Sequence, residues 1–164
     1  MVSAFRQQQY FAERIARQPQ LGVLFVAESE QRVAGAAFLR MQPAEEWELR
    51  ARLRNVPVLS HLQVVADRRR QGVASEIMQA AEDYARGRGR TGIALGVTPT
   101  NAAARRMYTG RGYEEWPHGE VNAMVIDYDD EGRKTFSTER CLIMVKPLPM
   151  VVRAPAPAIA AGVK

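Results

Sequence analysis

Apolar and polar positions change their period several times along the chain. Residues 4–17 carry Phe5, Tyr10, Phe11, Ile15 and Ala16 loosely on one side of a helix, and Pro19 lies just beyond as a stop signal. Residues 21–28 are apolar and β-branched enough for a buried strand. Ser29, Glu30 and Gln31 make a polar turn, and residues 32–41 return as a second strand, so an antiparallel hairpin is predicted. Residues 43–55 are polar and charged, a loop with a short helix near Glu45, Glu46 and Trp47. Residues 56–65 read as a third strand. The period then becomes helical over residues 72–88, with Val73, Ile77, Ala81, Tyr84 and Ala85 on one face and Gly87 and Gly89 at the end. Ile93, Leu95 and Val97 alternate as a strand does. Asn101 is a cap residue for a short helix that reaches Thr109. Gly112 and Tyr113 lead back toward strand, and residues 121–128 and 140–146 are two more strands around an acidic, glycine-containing turn. This order predicts a mixed α/β (α+β) layer fold with one central sheet flanked by helices.

Length and composition narrow the class. The chain has 164 residues, 46% hydrophobic and 25% charged, which fits one soluble domain with its own core. That domain is expected over residues 1–147. Residues 148–164 form a Pro/Ala-rich tail, read as an extended surface segment or as one that docks through Val151 and Val152. Cys141 is the only cysteine, so no internal disulfide forms, and His61 and His118 lack ligand spacing, so no metal is expected. The apolar run at residues 21–27 is far shorter than the roughly 20 residues that span a membrane. Gln7 to Gln9 interrupt the place where a signal peptide is apolar. A cytoplasmic protein without a membrane partner is expected.

The net charge of +5 is carried almost wholly by arginine, since only Lys134, Lys146 and Lys164 are lysines. Arginine forks suit phosphate and carboxylate. Nine arginines and only three acids lie between Arg68 and Arg111, so the basicity gathers in one segment.

Within that segment, residues 64–75 run from a strand through an Arg- and Gly-containing loop into a helix. A helix start offers unpaired N–H groups and the positive end of its dipole, and Gly72 and Ala74 keep the approach open. Arg69 and Arg70 add charge. The loop lacks the Gly-Lys-Ser/Thr ending of a P-loop and two of the three glycines of a dinucleotide fingerprint. Taken alone, it reads equally as a solvated basic turn. Further on, Asn101, Ala104 and Tyr108 recur at helical spacing, followed by Gly112 and Tyr113.

The two motifs in order, Arg69-x-x-Gly72-x-Ala74 and Asn101-x-x-Ala104-x-x-x-Tyr108-x-x-x-Gly112-Tyr113 with a strand between them, resemble the GNAT superfamily of acyl-CoA-dependent N-acetyltransferases. The resemblance is close over residues 62–113. It implies a splayed strand pair with the acyl-pantetheine of acetyl-CoA in the gap, paired with backbone groups of Val64 and Val65. It implies a pyrophosphate arm at Arg69, Arg70, Gln71, Gly72, Val73, Ala74 and Ser75. Asn101 and Ala104 match the positions beside the pantetheine, and Tyr108 matches the general acid to the leaving thiolate. The expected reaction is acetyl transfer from acetyl-CoA to a primary amine of a small molecule by direct attack in a ternary complex. Antibiotics and polyamines are among the acceptor classes. A protein N-terminal or lysine acetyltransferase and a catalytically degenerate acyl-CoA sensor are the alternatives. A nucleic-acid-binding domain is the non-enzymatic rival, and nucleic acid is not the expected partner.

The base is not evident. The family's usual positions fall at Val58 and Ser60, and neither titrates usefully. His61 is expected to face the other side of the sheet unless a bulge redirects it. Glu28, Glu45, Glu46, Glu120, Asp127 and a water chain are other candidates. The cluster Asp127, Asp129, Asp130 and Glu131 reads as a hairpin turn or as an acidic wall. Glu45, Glu46 and Glu48 around Trp47 allow the same two readings, a solvated segment or an acidic wall, and lie where the family usually builds its acceptor pocket. Cys141 reads as a core residue, and Trp116 and His118 as packing. The family's first strand has no counterpart in the helical N-terminal residues, so an uncovered sheet edge predicts a homodimer.

Overall fold

Two adjacent turn residues with positive φ, Glu30 at 52° and Gln31 at 62°, close a tight hairpin between β1 (Gly22–Ser29) and β2 (Arg32–Arg40). The computed structural model describes residues 20–129 and 131–150, together with Ala12 and Ala16, which are helical and exposed. The remaining elements are α1 (Trp47–Arg52), β3 (Val58–Val64), α2 (Val73–Gly87), β4 (Gly92–Val97), α3 (Ala102–Gly110), β5 (Glu114–Glu115), β6 (Val121–Tyr128) and β7 (Lys134–Pro147). The rest of the helix expected over residues 4–17, and the tail beyond residue 150, lie outside the described residues.

The sheet runs β1-β2-β3-β4-β7-β5, and β6 pairs with β7 as a two-stranded ribbon. Its neighbours are antiparallel except β3 and β4, which are parallel. Among the described residues β1 is an edge strand. The mixed α/β architecture is the one the alternating periods predict.

Strand alternation sorts the two faces. Ala37, Leu39, Leu59, Ile93, Leu95, Leu142 and Met144 point toward α2 and α3 and join Ile77, Met78, Ala81 and Ala85 in the main core. Ala94, Cys141 and Ile143 point the other way, against Leu49 of α1 and Val121 of β6. Phe38 and Tyr128 form a third cluster where the ribbon folds over β1 and β2. Each fully buried large side chain, such as Leu39, Met78 or Ile93, contributes about 1.5–3 kcal/mol from removal of apolar surface.

Two boundaries differ from the sequence reading. β7 begins at Lys134 rather than near residue 140, because Lys134–Arg140 pair along β6 while remaining exposed, and so show no buried alternation. Leu148, the first residue of the expected tail, is buried in the main core and donates its N–H to the carbonyl of Thr91 at 2.8 Å.

Candidate functional site

β3 and β4 pair only at Val58 with Ala94 and Leu59 with Leu95, then separate. The divergence coincides with an irregularity in the β2–β3 ladder. Ala36 faces Gln63 and Phe38 faces Ser60, so β3 carries one extra residue in between. His61 sits there with φ at 54°. A bulge of this kind shifts the parity of everything after it. Leu62 packs with the main core on the helix side, and Gln63 lines the opposite face. The bulge also corrects the expectation that His61 faces away, since His61 lines the same cavity as Ser60 and Gln63.

The backbone beside the opening is partly committed. Val65 donates its N–H to Ala34 O at 2.9 Å, and its carbonyl accepts from Arg68 N at 3.0 Å. Val65 therefore faces β2, not the gap, which limits the expectation that Val64 and Val65 act together. Alternate residues present their N–H and C=O groups to opposite edges, so Val64 and Leu62 face the gap. The carbonyl of Val64 also accepts from Arg69 Nε at 3.2 Å.

That bond begins the loop entering α2. A 3-10 turn over Ala66–Arg68 and a hydrogen bond from Gln71 Nε2 to Asp67 O at 2.8 Å fold the loop on itself. Arg70 has φ at 61° and Gly72, the cap position, has φ at 88°. A Cβ at Gly72 would meet nothing within 4 Å, so the helix start opens to solvent. The amides of Val73, Ala74 and Ser75 fall in the first turn, where no side chain caps them. Arg68 is paired with Glu30 at 2.7 Å, whereas Arg69 and Arg70 are exposed at the loop.

α3 follows β4. Asn101 Oδ1 accepts from Ala104 N at 3.1 Å, so the asparagine caps the helix and its amide nitrogen is left to face outward. Tyr108 is buried in the core cluster that includes Val97 and Leu62, residues of both diverging strands, with its ring centroid 6.1 Å from that of Tyr113. Burial pushes the Tyr108 hydroxyl above its ordinary value, so it holds its proton at neutral pH.

The other face of the sheet carries a cavity of about 400 Å³. Phe38, Arg40, Val58, Ser60, His61 and Gly96 form its floor, and α1 and the ribbon form its walls. Three carboxylates line it: Glu45, Glu46 and Glu139. Arg40 is the balancing cation and binds Glu45 at 2.8 Å. Cys141 marks where two of the acids converge. Burial first, then the charges of Glu139 and Glu46, push its thiol up, which keeps it an inert wall residue. Glu139 is absent from the sequence-derived candidates. Its signal is parity with Cys141 on β7, unreadable until β7 is known to extend past residue 140.

The other candidates take structural positions. Glu120 pairs with Arg140, Asp127 Oδ1 accepts from the Tyr128 amide, and Glu28 is exposed on β1. Asp129 accepts from the amides of Glu131 and Arg133, the latter at 2.8 Å, and these bonds hold its carboxyl below the usual carboxylate range. It is a turn residue, and Asp130 lies outside the described residues. Trp116 is buried and donates Nε1–H to Gly119 O at 2.6 Å, with its ring against His118. Among the described residues no cluster of metal-ligating side chains occurs, and no helix is long and apolar enough to cross a membrane.

The parallel ladder that ends after Leu59 and Leu95, the uncapped helix start beside Arg69 and Arg70, and the acid-lined cavity on the opposite face are an arrangement compatible with an acyltransferase. Residues 2–113 match the acetyltransferase (GNAT) family, and the chain belongs to that family of N-acetyltransferases. A curated relative, the aminoglycoside N(6')-acetyltransferase type 1 of Klebsiella aerogenes, is 41% identical over 61 residues, 37% of this chain and 40% of that protein's length. The ribosomal-protein-S18-alanine N-acetyltransferase of Escherichia coli has a similar fold, with a TM-score of 0.60 at 21% identity over 88% of this chain and 78% of that one. The PaiA N-acetyltransferase of Thermoplasma acidophilum, solved in complex with coenzyme A, has a TM-score of 0.58 at 15% identity over 86% of this chain and 70% of that one.

Proposed function

We propose that the protein transfers the acetyl group of acetyl-CoA to a primary amine of a small polycationic acceptor. The observation that carries this reading is the cavity lined by Glu45, Glu46 and Glu139 at the mouth of the strand gap. Three carboxylates against one arginine favour ammonium groups. The partial likeness to an aminoglycoside acetyltransferase supports the same class.

The chemistry follows from the residues on either side of the gap. The helix start at Gly72–Ser75, with Arg69 and Arg70, holds the pyrophosphate, and the exposed face of Val64 and Leu62 pairs with the pantetheine. Asn101 offers its outward amide to the same arm. Orientation of thioester and amine supplies up to about 7–11 kcal/mol of the barrier reduction. His61, at the bulge where the strands part, accepts the proton of the attacking ammonium. The nitrogen bonds to the carbonyl carbon while the oxyanion takes the N–H of Val64 or its neighbour. The C–S bond then breaks, and Tyr108 gives its proton to the thiolate, a role worth about 10²–10⁴-fold. The amide nitrogen gives its remaining excess proton through water to the tyrosinate, and the imidazolium of His61 releases its own to solvent, so both residues return to their starting states.

Thiol release from acetyl-CoA is measured against aminoglycosides, spermidine and an alanine-terminated peptide. Turnover with the first two, and loss of it in Glu46→Gln/Glu139→Gln through a raised acceptor KM, is the expected result. Turnover restricted to the peptide overturns the reading.

A further inference from the structure

The arginines do not all serve the cofactor end. Arg88 and Arg90 lie past the C-terminal end of α2, and a helix of 15 residues puts about 22 Å between them and the loop at Gly72. They line a cavity of about 640 Å³ together with Tyr84, Pro43 and Asn55. A second groove of about 500 Å³ shares Pro43 and Asn55 with it and is lined by Trp47, Arg50 and Arg54. The two therefore adjoin at Pro43 and Asn55.

α1 sorts its charges by face. Glu46 and Leu49 line the acceptor cavity, while Trp47 and Arg50, three residues apart on α1, line the groove together with Arg54, which follows the helix. Arg40, Arg68, Arg86, Arg105, Arg111, Arg133 and Arg140 all have carboxylate partners. Among the described residues Arg50, Arg54, Arg88 and Arg90 have none, as is also true of Arg32, Arg52, Arg69, Arg70 and Arg106 elsewhere, and what sets the four apart is that they line these two neighbouring hollows. Arg88 lies 4.9 Å over the ring of Tyr84. Arg90 reaches Met41 O at 3.4 Å with one nitrogen, while its buried Nε has no hydrogen-bond partner. The indole of Trp47 is 66% exposed. Favourable placement of Arg88 and Arg90 at a helix C-terminus accounts for those two alone, and leaves Arg50, Arg54 and the bare indole unexplained.

We propose that this groove binds single-stranded nucleic acid. Four guanidinium groups without carboxylate partners match a phosphodiester backbone, and the exposed indole of Trp47 offers stacking to unpaired bases. An acidic peptide would use the charges but would leave the indole without a role. On this reading Arg88 and Arg90, although they belong to the same basic segment as Arg69 and Arg70, serve a different ligand.

Anisotropy of labelled oligouridylate and oligothymidylate, each about 15 nucleotides long, tests the proposal on the full chain with saturating acetyl-CoA present. Binding of either at about 50 mM salt is expected, with a log–log salt slope of about −0.7 for each phosphate contacted, or near −3 for four. Arg50→Gln/Arg54→Gln should weaken binding at least tenfold and roughly halve that slope. Trp47→Ala should weaken it about fivefold or more at constant slope. Arg69→Gln/Arg70→Gln should leave it unchanged. Thermal melts of the surface variants, expected to match the parent, separate lost contacts from lost folding. The proposal is overturned by absence of binding at low salt, by equal displacement with polyglutamate, by indifference to Trp47→Ala, or by a loss that follows Arg69 and Arg70 instead.

Discussion

Replacing Glu82 probes what holds the donor side of the site together. Its side chain is 1% exposed, at the centre of the main core. Lys146 Nζ of β7 donates to it at 2.7 Å, Arg111 after α3 at 3.2 Å, and the Tyr113 hydroxyl at 3.1 Å. One carboxylate thus ties α2, which begins at the anion loop, to the segment that closes α3 and to the strand beside β4. Lys146 and Arg111 are themselves only 22% and 17% exposed. Glu82→Ala leaves both cations largely desolvated without their counter-charge. Removing one partner of a buried ion pair costs about 3–5 kcal/mol, a large part of the roughly 5–15 kcal/mol that stabilises a domain. Glu82→Gln keeps the volume and an acceptor for Tyr113, and should cost less, about 1.5–3 kcal/mol for charged hydrogen bonds lost. Urea unfolding at constant m measures both. The apolar replacement Glu82→Leu/Arg111→Met/Lys146→Met should recover most of the loss, since no charge is then stranded. A Glu82→Ala penalty below about 1 kcal/mol would refute the reasoning, because it would mean that the two cations reach water without their partner.

Four further outcomes are expected. Tyr108→Phe should lower kcat by about 10²–10⁴-fold with little change in the acetyl-CoA KM, and unchanged kcat removes Tyr108 from the acid role. His61→Gly relaxes the positive φ yet removes the imidazole, so a melting point at or above the parent's with strongly reduced kcat marks a chemical role, whereas full activity marks a backbone one. Cys141 should react slowly with a disulfide reagent near neutral pH and faster in Glu139→Gln, because one of the charges that raise its thiol is then gone. Burial raises both Tyr108 and Tyr113, with the charge of Glu82 adding to the second. The unfolded chain therefore releases these protons first, so stability should hold below the ordinary tyrosine value of about 10 and fall as pH rises above it. Phenolate absorbance accounting for all five tyrosines before the loss of circular dichroism would contradict that order.

Local period carried most of the fold. The hairpin, the helix that becomes α2 and the strands on either side of it were legible because each has one buried face. Lys134–Glu139 was not, since that half of β7 is held by backbone pairing to β6 and buries nothing. The candidate donor half can be proposed from the sequence for a similar reason: it is drawn from a contiguous loop and one short helix. The acceptor half is assembled from β2, α1, β3, β6 and β7, and no local spacing records that assembly. His61 shows the limit clearly. Simple alternation turns it away from the cavity, and a single inserted residue turns it back. Glu82 was counted only as one acid among arginines, because its three partners lie 29 to 64 residues away.

In the proposed reaction, the placement of charge would keep the two substrates from competing. A coenzyme A donor is anionic and a polyamine-like acceptor is cationic, so one shared patch would favour either partner at the expense of the other. Here the arginine loop opens at the start of α2, on the helix side of the sheet, and Glu45, Glu46 and Glu139 line the opposite face. The gap beyond Leu59 and Leu95 is the passage between them. At the two ends of that passage the fields have opposite sign, and each draws in the ligand that the other repels. The bulge at His61 matters twice in this arrangement. It coincides with the end of the parallel ladder, and it places the imidazole on the acid-lined face from which, in the proposed reaction, the amine arrives.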